Sequence, residues 1–173
     1  MKPKLLILFV FLLLAGCTPI SSKVAISLRP GVDTVEINST FVDAGAKATV
    51  NSRTVTYEVI YNDVDITKIG IYTIIYEVVY ESISKQVSRS VFVMDETPPV
   101  VTLLPGIDTV LKNSVWVDAY VEVYDNSSGQ IDIRIEGEVN TAISGEYMIT
   151  YYAKDQSGNE SSVTRIVHVL PNP

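Results

Sequence analysis

Pro30-Gly31-Val32-Asp33-Thr34-Val35 and Pro105-Gly106-Ile107-Asp108-Thr109-Val110 open two stretches, 30–51 and 105–126, that align without a gap at an offset of 75 and share eleven of 22 residues. The identities continue through Asn38-Ser39/Asn113-Ser114 and Val42-Asp43-Ala44/Val117-Asp118-Ala119. The same offset pairs Gly70, Tyr72 and Tyr76 with Gly145, Tyr147 and Tyr151. It becomes 76 where Val87, Arg89, Val91 and Val93 meet Val163, Arg165, Val167 and Val169, a slip that one extra loop residue explains. A match at fixed period means that one supersecondary unit, here of about 72 residues, is used twice. The boundary falls at Asp95-Glu96-Thr97-Pro98-Pro99. Two successive prolines cannot continue a hydrogen-bonded ladder and hold the chain extended, so the link is short and semi-stiff.

Within each unit the apolar period is that of strands. Ile131, Ile133 and Ile135 alternate with Asp132, Arg134 and Glu136, and Val55, Tyr57, Val59 and Tyr61 alternate with Thr56, Glu58, Ile60 and Asn62. Alternation of this kind describes a half-buried strand, whose apolar face needs a second sheet over it. Val, Ile, Thr and Tyr are abundant, and no segment carries a sustained helical period. Strands are expected near 24–29, 33–37, 46–50, 54–61, 64–67, 71–81 and 85–94, and again near 100–104, 108–112, 119–124, 131–136, 138–141, 146–154 and 161–169. Short strands at this spacing, with Gly, Asn, Asp and Ser between them, predict an all-β chain of two tandem Ig-like β-sandwiches. Tyr72 and Tyr147 sit where the tyrosine corner of such sandwiches would lie, with Ile74 and Ile149 at the position often held by cysteine. Tyr72, Tyr76, Tyr147 and Tyr151 are expected in the core. Trp116, aligned with Phe41, is expected there too.

The N-terminus adds an address. Two lysines precede eleven uncharged apolar residues, Leu5 to Ala15, which is the layout of a secretory signal and too short for the roughly 20 residues of a spanning helix. Leu13-Leu14-Ala15-Gly16-Cys17 resembles a bacterial lipoprotein lipobox, and that resemblance implies cleavage before Cys17 and a diacylglyceryl group on its thiol. Cys17 is the only cysteine, so neither a disulfide nor a thiolate metal site is available to it. The expected organisation is a lipoprotein signal peptide at 1–16, the lipidated cysteine and a short tether at 17–23, one Ig-like domain at 24–95, a linker at 96–99 and a second domain at 100–170. The expected location is the cell envelope, extracytoplasmic and held to the membrane by lipid on Cys17. Without residues 1–16 the chain carries 11 basic and 20 acidic residues, a net charge near −9, which disfavours nucleic acid as a partner.

Thr97-Pro98-Pro99-Val100-Val101-Thr102-Leu103, Val117-Asp118-Ala119, Gly145-Glu146-Tyr147-Met148-Ile149-Thr150-Tyr151 and Asp155-Gln156-Ser157-Gly158-Asn159 resemble the bacterial Ig-like domain repeated in surface proteins and appended to certain pesticidal crystal toxins. The pattern is also similar to the hyalin repeat. The resemblance implies a sandwich fold and a surface setting, with no common ligand. Unit one departs from it at Tyr80-Glu81-Ser82-Ile83-Ser84-Lys85 and at Asn51-Ser52-Arg53, which stands against Asp125-Asn126-Ser127-Ser128-Gly129.

Residues able to make or break bonds are scarce. The only histidine, His168, lies on the last expected strand facing away from Val167 and Val169, as a solvated side chain rather than a base. Neither a Gly-x-Ser-x-Gly elbow nor a Gly-rich phosphate loop occurs. No catalytic residues and no obligatory cofactor are expected, and the chain is read as a non-enzyme. Calcium is the open metal question, because Asp125, Asn126, Asp155 and Asn159 offer oxygen ligands in tight loops, with the linker acids Asp95 and Glu96 as further candidates. The plainer reading is turn chemistry, since Asp and Asn side chains bond their own backbone. Tyr120, Tyr124 and Tyr152 alternate against the inward set and form a candidate contact patch, for glycan or cell wall in one reading. The leading expectation is a surface-displayed, membrane-anchored module for binding, adhesion or spacing, with an unknown protein or glycan ligand.

Overall fold

The computed structural model describes residues 22–173, and Cys17 with the signal segment lies outside them. Thirteen strands and no helix make up the described chain: β1 (Val24–Leu28), β2 (Thr34–Glu36), β3 (Ala46–Val50), β4 (Arg53–Val55), β5 (Glu58–Asn62), β6 (Gly70–Tyr80), β7 (Ile83–Met94), β8 (Val100–Leu103), β9 (Thr109–Leu111), β10 (Val121–Tyr124), β11 (Asp132–Glu136), β12 (Gly145–Lys154) and β13 (Glu160–Leu170). They form two β-sandwiches in tandem. The first packs the sheet β1-β3-β4 on β2-β7-β6-β5, and the second packs β10-β8 on β11-β12-β13-β9. The long hairpins β6–β7 and β12–β13 are antiparallel, while β2 and β9 join them in parallel at equivalent places.

The apolar alternation puts Ile74, Tyr76, Val78, Val91 and Val93 inside the first sandwich, and Ile149, Tyr151, Ala153, Val167 and Val169 inside the second. In the first, Tyr57 meets Tyr76 edge-to-face with ring centroids 5.7 Å apart. The tyrosine corner forms twice: the Tyr72 hydroxyl donates to the Lys68 carbonyl at 2.7 Å, and that of Tyr147 to Ile143 at 2.8 Å.

The strongest repeat motifs converge on a buried arginine. Arg89 and Arg165 are each 2% exposed, on the same inward faces as the core valines. Arg165 Nη1 donates to Asp108 at 2.6 Å and its Nη2 to the Leu104 carbonyl at 2.6 Å; Arg89 pairs with Asp33 and the Arg29 carbonyl in the same way. The guanidinium Nε lies 3.4 Å from Asp43 in one copy and 3.8 Å from Asp118 in the other, and those carboxylates accept the Tyr76 and Tyr151 hydroxyls. Burial works against the charged guanidinium, but its hydrogen bonds to Asp33 or Asp108 and to the tyrosine outweigh it, holding both arginines above their usual pKa. The glycine of each Pro-Gly pair covers this group. A Cβ on Gly31 would come within 2.6 Å of Ala44 Cβ and 3.2 Å of Arg89 Nη1, and one on Gly106 within 2.8 Å of Ala119 Cβ and 3.0 Å of Arg165 Nη1. One buried contact therefore accounts for Pro-Gly, Asp-Thr-Val, Val-Asp-Ala and the late arginine recurring together. The recurring Asn-Ser is a turn, in which Asn38 and Asn113 take left-handed φ of 59° and 63°, a region asparagine tolerates.

Several expected strands differ. The stretch 54–61 is broken, because β4 pairs with β3 in one sheet while β5 pairs with β6 in the other. The chain changes sheets at Thr56-Tyr57, which an unbroken alternation cannot reveal. The stretches 64–67 and 138–141 are turns, since Asn62, Asp65 and Asn140 side chains capture the backbone N–H groups of Val64, Thr67 and Ala142. The alternating faces of β5 and β11 are not covered either. Both are edge strands, with Val59 50%, Tyr61 48%, Ile133 51% and Ile135 42% exposed. Trp116 is only half-buried, its indole N–H donating to the Ile107 carbonyl at 2.8 Å.

Removing one partner of a buried ion pair costs about 3–5 kcal/mol. Because Asp33 and Asp108 remain 40% and 44% exposed and keep some water, the lower figure applies. Arg89→Leu and Arg165→Leu are each expected to lose about 3 kcal/mol in urea denaturation of the affected sandwich; a loss under about 1 kcal/mol would contradict the assignment. Burial, and then the bonds to Asp43 and Asp118, push the Tyr76 and Tyr151 hydroxyls up to about 12. The folded protein holds those protons more tightly than the unfolded chain. Their stabilisation is thus intact below the unfolded value near 10 and disappears as pH rises from about 10 to about 12. Urea midpoints across that range should fall for the wild type and fall less for the Tyr76→Phe/Tyr151→Phe variant.

Candidate functional site

The end of β7, the loop after β10 and the loop after β12 meet between the two sandwiches. Each brings an aspartate: Asp95, Asp125 and Asp155. One carboxylate oxygen from each lies within 4.8 Å of the other two, although 30 residues of sequence separate neighbouring members. Asp95 is 7% and Asp155 6% exposed, and Asp125 is partly buried.

Local hydrogen bonds fix each carboxylate. Asp155 Oδ1 accepts the Gly158 and Asn159 N–H groups at 2.7 and 2.8 Å, and its Oδ2 accepts Asn159 Nδ2 at 2.8 Å. Gly158 makes this loop possible with φ of 99°. Burial raises the Asp155 pKa, but the side-chain and backbone donors of Asn159, with Gly158 and Ser157, outweigh it, so the group is held below the usual carboxylate range. Asp125 Oδ1 accepts the Ser127 N–H at 2.8 Å and its hydroxyl at 2.5 Å. Asp95 Oδ2 accepts the Ser157 hydroxyl at 3.0 Å, and the Asp95 carbonyl accepts Asn159 Nδ2 at 3.1 Å. Two oxygens are left over. Asp125 Oδ2 and Asn126 Oδ1 are each buried to less than 1 Å² and have no hydrogen-bond partner.

The electrostatics are unbalanced. None of the ion pairs among the described residues involves any of the three aspartates. At an effective dielectric near ~20, each pair of unit charges at this separation repels by about 3 kcal/mol.

A second set of contacts clamps the junction beside the carboxylates. Asn126 Nδ2 donates to Glu36 Oε1 at 2.7 Å, and the Asn126 carbonyl accepts Asn38 Nδ2 at 2.8 Å. Glu36 Oε2 also accepts the Glu96 N–H at 2.9 Å. Burial works against the Glu36 charge, but the donors of Glu96, Thr97 and Asn126 prevail and keep its pKa low. Pro99 is fully buried and its carbonyl accepts the Ser161 hydroxyl. The linker is therefore held along its length, in keeping with its two prolines.

Of the residues singled out in the sequence, Asp125 and Asp155 come together, with Asp95 as the third carboxylate. Asn126 turns its amide nitrogen to the first sandwich, and Asn159 braces Asp95 and Asp155 through its own nitrogen. Glu96 contributes only a backbone N–H. Glu36 and Asn38 were not foreseen. Their signal was weak, because Asn38 belongs to a turn present in both units and only one copy meets a neighbour. The three tyrosines are not one patch. Tyr120 and Tyr124, 57% and 70% exposed, belong to the β10–β8 side, whereas Tyr152 lies on the outer face of the opposed sheet with Arg134 stacked 3.9 Å from its ring centroid. Tyr120 also holds a left-handed φ of 63°, where the first unit has Gly45. His168 is half-exposed, with Nδ1 3.6 Å from Glu146 Oε2.

Residues 108–169 match the family model of the bacterial surface protein, Ig-like domain. The matched span holds the side chains of the second copy of the arginine network, two of the three clustered aspartates and the tyrosine corner of the second sandwich. No curated protein sequence matches the chain. Among solved structures, a lipoprotein from Bacteroides thetaiotaomicron aligns over 84% of this chain and 100% of its own at 16% identity and a TM-score of 0.38. The fibronectin(III)-like modules of CbhA from Clostridium thermocellum align over 86% of this chain and 95% of theirs, at 18% identity and a TM-score of 0.35.

Asn126→Ala removes the side-chain bond across the junction while each sandwich keeps its own core. It is expected to weaken domain docking by about 1–2 kcal/mol, seen as separate rotational correlation times for the two halves in NMR relaxation. A single shared correlation time in the variant would show that the Asn126 side chain is not needed.

Proposed function

We propose that this chain is a lipid-anchored, extracytoplasmic lipoprotein whose two Ig-like sandwiches form a non-enzymatic module for binding or adhesion at the bacterial cell envelope. The reading is carried by the match of residues 108–169 to a bacterial surface Ig-like domain, joined to a sequence that places its sole cysteine at a lipobox. The thiol of Cys17 takes a diacylglyceryl group in thioether linkage, and acyl chains beyond the first make the attachment stable. The acidic surface, with 20 acidic against 11 basic residues once 1–16 are removed, keeps the displayed domains off anionic headgroups.

Binding rather than spacing alone is favoured by the edge strands. β5 and β11 occupy the same place in their sheets and leave one ladder edge open, with apolar side chains exposed beside it. An extended segment of a partner protein adds to such an edge through main-chain hydrogen bonds. Asp132, Arg134 and Glu136 on β11 restrain unselective pairing there.

Intact-mass measurement of the mature protein tests the anchor. It should begin at Cys17 and carry the mass of at least two acyl chains, whereas Cys17→Ser should carry none. An unacylated wild-type chain would contradict the reading. For binding, the two-sandwich body should crosslink saturably to an envelope protein, and Ile133→Lys/Ile135→Lys should reduce the yield about tenfold, corresponding to ~1.4 kcal/mol. Unchanged crosslinking by that variant would move the contact away from β11.

A further inference from the structure

We propose that Asp95, Asp125 and Asp155 form a calcium site that fastens the first sandwich to the second. The three carboxylates converge within 4.8 Å from three separate segments. Two belong to residues more than nine-tenths buried, and no cationic side chain pairs with any of them among the described residues. A fully buried oxygen of this cluster, Asp125 Oδ2, has no donor, and the next residue supplies a second orphan, Asn126 Oδ1. Buried carboxylate oxygens need a donor or a cation. Backbone and hydroxyl donors of Thr97, Ser127, Ser157, Gly158 and Asn159 orient the three groups. What remains open is an all-oxygen, carboxylate-rich donor set, which suits a hard divalent cation. Calcium fits because it takes mono- and bidentate carboxylates in flexible geometry with water completing six to eight ligands, whereas magnesium demands a tight octahedron.

The position gives the ion a task. Asp95 follows the last strand of the first sandwich, and the other two aspartates lie in loops of the second. One cation thus ties three segments across the junction and cancels the repulsion that otherwise opposes docking. The first unit has Val50-Asn51-Ser52 where the second has Asp125-Asn126-Ser127, so it does not supply the corresponding acid. The site therefore occurs where a following domain brings its loops to a preceding strand end. The inference concerns the two-domain body and is independent of how Cys17 is modified.

The experiment is a thermal melt of the mature protein in chelator and in about 5 mM calcium, above the range of roughly 0.1–1 mM at which extracellular modules bind it. Calcium should raise the midpoint by about 5 °C. Asp125→Asn keeps an acceptor for Ser127 but removes one of three like charges. It should melt at or above the wild type in chelator and show no calcium response. No wild-type shift, or an equal shift in the variant, would overturn the site. Backbone amide shifts of the wild type on calcium addition locate the ion without any variant: changes centred on 95–97, 125–129 and 155–159 are expected, and changes elsewhere would overturn the proposal.

Discussion

A guanidinium buried to 2% exposure is expensive unless its charge is answered, and in each sandwich the repeated residues answer the charge and both Nη groups, while Nε lies beside a carboxylate without a hydrogen bond. Asp33 and Asp43, or Asp108 and Asp118, supply the charge. Carbonyls at Arg29 and Gly45, or Leu104 and Tyr120, take the second amino group. The arginine therefore ties the loop before the parallel strand, the Val-Asp-Ala turn and the long hairpin into one arrangement. A hydrophobic side chain would fill the same volume without directing those loops. The geometry of the ion pair explains why the motifs recur at fixed spacing while much of the sequence between them drifts.

The same turn-forming chemistry then builds the junction. Asp125 and Asp155 first organise their own loops, each capturing backbone N–H groups within four residues. Having done so, they present their carboxylates to Asp95 across the linker. Forming a turn and joining a carboxylate cluster are therefore compatible uses of one side chain. The clamp made by Glu36, Asn38 and Asn126 fixes the register in which those loops meet, and the buried Pro99 limits how far the linker can swing.

The fold was largely legible because its signals are local. Alternation located the core faces of β6, β7, β12 and β13, and the repeat gave the two units. Arg89 shares the alternation of Val87, Val91 and Val93, but a charged residue on a core face reads as an exception until its partners at Asp33 and Asp43 are seen. The sheet change at Thr56-Tyr57 and the open faces of β5 and β11 were hidden because periodicity reports two faces and not what covers them. The candidate site was half legible. Asp125 and Asp155 stand out within their loops, whereas their meeting with Asp95 depends on how one domain docks on the next. Separations of 30 residues carry no local signature.

Both sandwiches depend most directly on the two buried arginines, and the side-chain NMR signals of their guanidinium groups report on them without perturbing the protein. Held by carboxylates and carbonyls away from water, Arg89 and Arg165 should each show resolved, slowly exchanging Nη protons with restricted rotation about the Nε–Cζ bond. Averaged, rapidly exchanging signals like those of surface arginines would contradict the arrangement on which both sandwiches are built.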